Sequence, residues 1–140
     1  MKKNVLIVSS GFYPEVEKLL LLGACEALNQ AKLSFDVIKV PGALEIPTAI
    51  YLNKKNYDAF VALGCVIRGE TFHFEVVSLE SARGLMNLSI NYGLIIGNGI
   101  LTVENYKQAI KRAEPQKLNK GAGAVIAIES LLRIKNGGKN

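Results

Sequence analysis

The sequence predicts an α/β fold, a three-layer sandwich with a four-stranded parallel sheet. Three observations carry that expectation. Short, almost wholly apolar runs of strand length alternate with longer stretches of helical periodicity along the chain. Such alternation implies parallel strands joined by right-handed crossovers, with helices on both sheet faces. The 140 residues show no internal repeat, low-complexity segment or linker. They suit one domain, 1–140, large enough to bury roughly 70% of its unfolded surface.

Taken in order, Asn4–Ser9 reads as a buried strand. The loop Ser10-Gly11-Phe12-Tyr13 leads to Pro14, which suits a first helical position. A helix from Pro14 to about Ala31 carries leucines on nearly all sides, which implies burial on more than one face and hence an oligomer. Leu33–Val40 is the second strand. The turn Pro41-Gly42-Ala43-Leu44-Glu45 passes into a helix from Ile46 to about Lys55. Asp58–Ala62 is the third strand, and the run from Leu63 to Phe74 is a strand-to-helix turn. There Gly69 permits a tight bend and Thr71 stands as N-cap. Val76, Leu79, Leu85 and Ile90 then mark a helix from Glu75 to Asn91. Gly93–Leu101 is the fourth strand, its glycines signalling close approach of a ligand or neighbour. Thr102-Val103-Glu104 opens the next helix, and Pro115–Gly121 connects it to a final helix from Ala122 to about Lys135. The last five residues should fray.

Hydrophobic residues make up 49% of the chain and charged ones 21%, with a mean hydropathy of +0.22. No apolar run reaches the ~18 residues of a membrane span, and Asn4–Ser10 is too short for a signal-peptide core. The expectation is a cytoplasmic protein that spends spare apolar surface on subunit contacts. The net charge of +5 suits anionic small molecules. No aromatic-and-basic stripe of the kind single-stranded nucleic acid requires is present. With two cysteines, Cys25 and Cys65, in no CxxC pair, and one histidine, a zinc site is not expected, and the thiols should be free and buried.

Three polar turns fall beyond predicted strand ends, where ligands bind in such sheets. They lie around Phe12, around Glu45, and from Val66 to His73. Each has a commonplace reading: a core plug, a capping charge, a surface histidine at a helix start. The sharper readings are a stacking platform for a planar ligand, an acceptor for ligand hydroxyls, and a phosphate site facing free N–H groups and a helix dipole. Convergence of all three at one sheet end favours the sharper set.

Four motifs carry a resemblance that covers nearly the whole chain. They are Val40-Pro41-Gly42-Ala43-Leu44-Glu45-Ile46-Pro47; Ala62-Leu63-Gly64-Cys65-Val66-Ile67-Arg68-Gly69-Glu70-Thr71 with His73-Phe74; Gly99-Ile100-Leu101-Thr102 with Gln108-Ala109 and Arg112-Ala113; and Asn119-Lys120-Gly121. In order and at these spacings the sequence resembles the lumazine synthase family. The resemblance implies a flavodoxin-like topology and the penultimate step of riboflavin biosynthesis, without metal or organic cofactor. In that step 5-amino-6-(D-ribitylamino)uracil condenses with 3,4-dihydroxy-2-butanone 4-phosphate to 6,7-dimethyl-8-ribityllumazine, phosphate and water. By the same resemblance Phe12 stacks on the pyrimidinedione, and Ala43, Leu44 and Glu45 hold the uracil edge and ribityl chain. Cys65, Val66 and Ile67 line the heterocycle, and Glu70 and Thr71 offer backbone N–H groups to the phosphate, assisted by Arg112. His73 moves protons. Lys120 stands near the ribityl hydroxyls or the phosphate.

The family forms homopentamers with shared active sites, so Asn98, Arg112 and Lys120 would come from a neighbouring chain. A 60-subunit shell and an association with riboflavin synthase are further implications. Three positions depart from the family pattern. Asn98 stands where many members carry Phe, Tyr13 where Asn is frequent, and Phe72 where Thr is commoner. The chain as given also shows no extended segment before its first strand. The alternatives are a non-catalytic flavin- or pteridine-binding protein on this fold, a flavodoxin-shaped signalling module, and a structural shell protein. The first needs neither His73 nor Arg112. The second normally has an acidic cluster after the first strand, where Ser9-Ser10-Gly11 offers none.

Overall fold

The structure, a computed structural model, describes residues 3–138. Four strands, β1 (Asn4–Ser10), β2 (Ser34–Val40), β3 (Ala59–Ile67) and β4 (Ile96–Val103), pair in the order β2-β1-β3-β4, all parallel. Between them run α1 (Pro14–Gln30), a 3-10 turn (Ala43–Glu45) leading into α2 (Ile46–Leu52), and α3 (His73–Tyr92). After β4 come α4 (Tyr106–Ala113) and α5 (Lys120–Lys135). This is the expected three-layer, flavodoxin-like α/β architecture.

Two cores follow from the strand pleat, whose successive side chains face opposite sides. Val5 and Ile7 of β1 and Val61 and Leu63 of β3 pack against α1, α4 and α5 through Leu20, Leu28, Ala109 and Ile128. Leu6, Val8, Phe60 and Ala62 pack against α2 and α3 through Ile46, Ile50, Val77 and Leu85. Covered on both faces, β3 is buried along its length apart from half-buried Ile67, which is why its sequence shows no polar alternation. Full burial of each such leucine or isoleucine contributes about 1.5–3 kcal/mol.

Several boundaries differ from the sequence expectation. β3 runs on through Cys65, Val66 and Ile67, because β4 continues beside it with Cys65 opposite Leu101 and Ile67 opposite Val103. The turn therefore begins at Arg68. The same pairing keeps Thr102 and Val103 in the sheet rather than in a helix. α4 instead starts after Asn105, whose side chain accepts the Gln108 N–H at 2.9 Å. Gly93 is not in a strand. It ends α3 in a left-handed conformation, φ 69°, where glycine carries no steric penalty. α2 stops at Leu52, and α5 begins at Lys120.

Thr71 precedes the helix start by two residues, and its hydroxyl still accepts the His73 N–H at 3.3 Å. At Gly69 a Cβ would meet nothing within 4 Å, and the backbone is not left-handed. Turn geometry therefore does not require glycine there. α1 buries one stripe within the chain, Val16, Leu20, Ala24 and Leu28, while Leu22 is exposed. The fourth-strand glycines do mark close approach, to α5: a Cβ on Gly97 would lie 2.0 Å from the Ala124 carbonyl oxygen.

Candidate active site

The sheet order sends the connection after β1 one way and that after β3 the other, which opens a crevice beyond their carboxyl ends. A cleft of about 510 Å³ lies there, within the roughly 300–1,000 Å³ of small-molecule sites. All three turns singled out in the sequence reach it. Phe12 arrives from the β1–α1 loop. Ala43, Leu44 and Glu45 arrive from the 3-10 turn after β2. Cys65, Val66 and Ile67 form the tip of β3, and Thr71 and His73 stand at the start of α3.

Phe12 is no core plug: the residue is 69% exposed, which leaves its side chain available for stacking. The loop beneath it is tied down at two points. The Gly11 N–H donates to the Val40 carbonyl at 3.2 Å. Glu17 of α1, buried under the loop, accepts from the Ser9 hydroxyl at 2.7 Å and stands 3.6 Å from the Lys39 ammonium. Tyr13 packs edge-on against Phe12 with ring centroids 5.0 Å apart, so the Phe12 ring has a fixed neighbour on one side.

Glu45 realises its capping role, with Oε1 accepting the Gly42 N–H at 2.8 Å. The carboxylate is exposed at the cleft wall and retains acceptor capacity for a ligand, since each ionised carboxylate offers about four lone-pair sites. Elsewhere in the cleft lining, burial pushes the Cys65 thiol up to about 12, so at neutral pH the sulfur is a protonated, apolar wall and not a nucleophile. Burial, and secondarily Cys65, also raises the Tyr13 hydroxyl.

The turn from Arg68 to Phe72 is exposed and leads straight into α3, whose N-terminus carries the positive end of the helix dipole. Arg68 clamps it. Its Nε donates to Glu104 at 2.8 Å and its Nη1 to Glu75 at 2.5 Å, and its guanidinium lies 4.4 Å from the centre of the Phe74 ring. The Arg68 hydrogen bond lowers the Glu75 carboxyl below its ordinary value.

Four expected site residues are not in this cleft. The Glu70 side chain is exposed on the turn. Asn98 is exposed on the outer strand, where its Oδ1 accepts the Ile100 N–H at 2.9 Å. Arg112 is in the last turn of α4, its Nη1 donating to the Gln108 carbonyl at 3.2 Å. Lys120 is exposed at the head of α5. Its flanking residues dock that helix: the Asn119 side chain caps it, and Gly121 lies so close to Leu20 that a Cβ would approach the Leu20 carbonyl oxygen to 2.2 Å.

Sequence reasoning assigned no site role to Pro41, Gly42, Phe74 and Val77, which also line the cleft, nor to Glu17 and Arg68. Val77 follows His73 by four residues, so helical spacing was the available signal for it; Phe74, one residue on, had only its adjacency to His73. The partners of Glu17 and Arg68 had none.

The family model described as 6,7-dimethyl-8-ribityllumazine synthase matches residues 2–136 of the chain. A Bartonella tribocorum protein named 6,7-dimethyl-8-ribityllumazine synthase is 53% identical over 137 residues, covering 96% of this chain and 91% of its own length. A Zymomonas mobilis protein of the same name is 54% identical over 132 residues, covering 93% and 94%.

Proposed function

The chain belongs to the 6,7-dimethyl-8-ribityllumazine synthase family, and we propose that the cleft at the tips of β1 and β3 is where it works. It is a transferase of riboflavin biosynthesis. It condenses 5-amino-6-(D-ribitylamino)uracil with 3,4-dihydroxy-2-butanone 4-phosphate to 6,7-dimethyl-8-ribityllumazine, releasing phosphate and water. The observation that carries the assignment of the site is the meeting of an exposed Phe12 ring, the Glu45 carboxylate and the His73-bearing helix start around one cavity.

In this reading the pyrimidinedione stacks on Phe12. Ala43, Leu44 and Glu45 hold its edge and ribityl chain, and Cys65, Val66 and Ile67 form the apolar wall beneath. The phosphate sits on the backbone N–H groups of Glu70 and Thr71, with the Glu70 side chain turned away because two anions side by side repel. The amine of the uracil attacks the ketone, an imine forms with loss of water, phosphate is eliminated, and the ring closes with loss of a second water. His73 takes and returns protons in these steps. An amine and a ketone need little electrophilic help, so holding the two substrates together supplies most of the acceleration.

Asn98, Arg112 and Lys120 lie away from the cleft of their own chain, which supports a site completed by a neighbour. Arg112 then assists at the phosphate, and Lys120 stands near the ribityl hydroxyls or the phosphate. Asn98, with its oxygen already engaged by Ile100, presents its NH₂ group to the heterocycle where many relatives would stack a ring. The partner in this scheme is another copy of the same chain. In support, Phe72, Val76, Leu79, Met86 and Ile90 are all exposed along one side of α3. Their spacings of four, three, seven and four suit a helix-to-helix seam, Arg83 filling the intervening position.

We take the assembly to be a homopentamer of single-domain chains, 1–140, in the cytoplasm. A 60-subunit shell and an association with riboflavin synthase are its proposed extensions. No helix among the described residues is long and apolar enough to cross a membrane.

The test is to mix purified protein with both substrates and follow lumazine fluorescence. Product that depends on the protein, and is lost on Phe12→Ala with the fold intact, is the expected result. Substrate binding without product would leave a non-catalytic pteridine-binding protein instead.

A further inference from the structure

The turn between β3 and α3 has few fastenings of its own. Apart from the helical ladder of α3, the hydrogen bonds of residues 69–73 among the described residues are the His73 N–H donating to Thr71 Oγ1 at 3.3 Å and the Val76 N–H donating to the Phe72 carbonyl. Among the described residues, the side-chain hydrogen bonds that tie its two ends to the rest of the molecule are those of Arg68. The Arg68 N–H extends the sheet by donating to the Val103 carbonyl at 3.0 Å. Its guanidinium then spans two carboxylates from different places. Glu104 stands just past β4, beside the N-cap of α4, and its own N–H is held by Gln108 at 2.8 Å. Glu75 is in the first turn of α3. The plane of the same group covers Phe74, a cleft-lining residue. A planar fork bridging two carboxylates while lying on a ring is something arginine can do and lysine cannot.

We propose that Arg68 is a positioning residue, which clasps both ends of the 69–73 turn and sets the angle at which His73 and the anion-binding N–H groups face the cleft. This rests on reading the cleft as the active site. It explains why so exposed a turn can present its amides in one orientation, since pre-organised donors are what make such a site effective. The Arg68 guanidinium is held in its charged state by Glu75 and Glu104, and Glu75 is held in its own by Arg68, so the clasp persists across the neutral range.

Direct contact with the phosphate would be a different role for the same side chain, and the two roles give opposite signs. If Arg68 were a phosphate ligand, removing a competing carboxylate would release it and tighten binding. If it is a clasp, removing either carboxylate slackens the turn and weakens binding.

The experiment measures the Kd of inorganic phosphate and the KM of each substrate for Glu75→Gln, Glu104→Gln, Arg68→Lys and the unaltered protein. For each carboxylate variant the expected result is a phosphate Kd and a phosphorylated-ketone KM raised about two- to fivefold, the scale of a partly exposed ion pair. The KM for the ribitylaminouracil should stay within about twofold in the same variants. Arg68→Lys should fall on the weakened side, since a single ammonium cannot bridge both partners. Tighter phosphate binding in Glu75→Gln, no change in any variant, or an equal rise for both substrates would each overturn the clasp. Phosphate binding is measured without turnover, so the result stands apart from whether the unaltered protein forms product.

Discussion

His73 stands exposed at the first position of α3, and among the described residues its imidazole takes part in no ion pair that would orient it. In the role proposed for it, His73 assists a reaction whose rate comes mainly from positioning. His73→Ala is therefore expected to slow single-turnover product formation by less than the roughly 10²–10⁴-fold of a lost acid–base group. Complete loss in a folded variant that still binds phosphate would refute this. Cys65 gives a second test at this scale. Burial raises its thiol to about 12, so the reactive thiolate appears only as pH climbs toward that value. At pH 8 the thiolate fraction is on the order of 10⁻⁴, against about a quarter for an unperturbed cysteine. Mass spectrometry after iodoacetamide should find Cys65 unmodified at pH 8 in the folded protein; rapid labelling there would contradict the burial argument.

At the scale of elements, two glycines separate packing from function. Gly97→Ala drives a methyl to 2.0 Å from the Ala124 carbonyl oxygen at the junction of β4 and α5. Backbone cannot yield as a side-chain tip can, so the loss should reach or exceed the roughly 1–3 kcal/mol of an overpacked core. Gly69→Ala meets open space and should change the unfolding free energy measured in urea by no more than about 0.5 kcal/mol. Equal midpoints for the two variants would show that the close contact at β4 is not real. The same elements show what the sequence could reveal. Strand and helix identity came through, because buried parallel strands read as apolar runs and helices as periodic ones. Ends came through poorly. Whether Val66, Ile67, Thr102 and Val103 extend strands depends on their facing one another across β3 and β4, which no local window contains. The three turns that build the cleft were legible, since each lies at the carboxyl end of a strand. Arg68 and Glu104 are 36 residues apart, so their pairing was invisible until the fold joined them.

For the whole molecule, the central issue is what covers the exposed side of α3. Leu79 and Ile90 are 65% and 74% exposed there, and a charge placed among them would oppose helix-to-helix packing. Leu79→Lys is expected to shift sedimentation from a multiple of the chain mass toward the monomer, with activity falling alongside it. An unchanged assembly would place the subunit seam elsewhere.

Sharing of the active site between chains can be tested by complementation. Phe12→Ala and Arg112→Ala proteins, each impaired alone, are dissociated, mixed in equal amounts and reassembled. If one chain supplies the cleft and its neighbour Arg112, random pairing around a closed ring regenerates about one intact site in four, and lumazine formation should rise well above either parent. If each chain's Arg112 serves its own cleft, every site carries one of the two defects and the mixture will be no more active than the average of its parents.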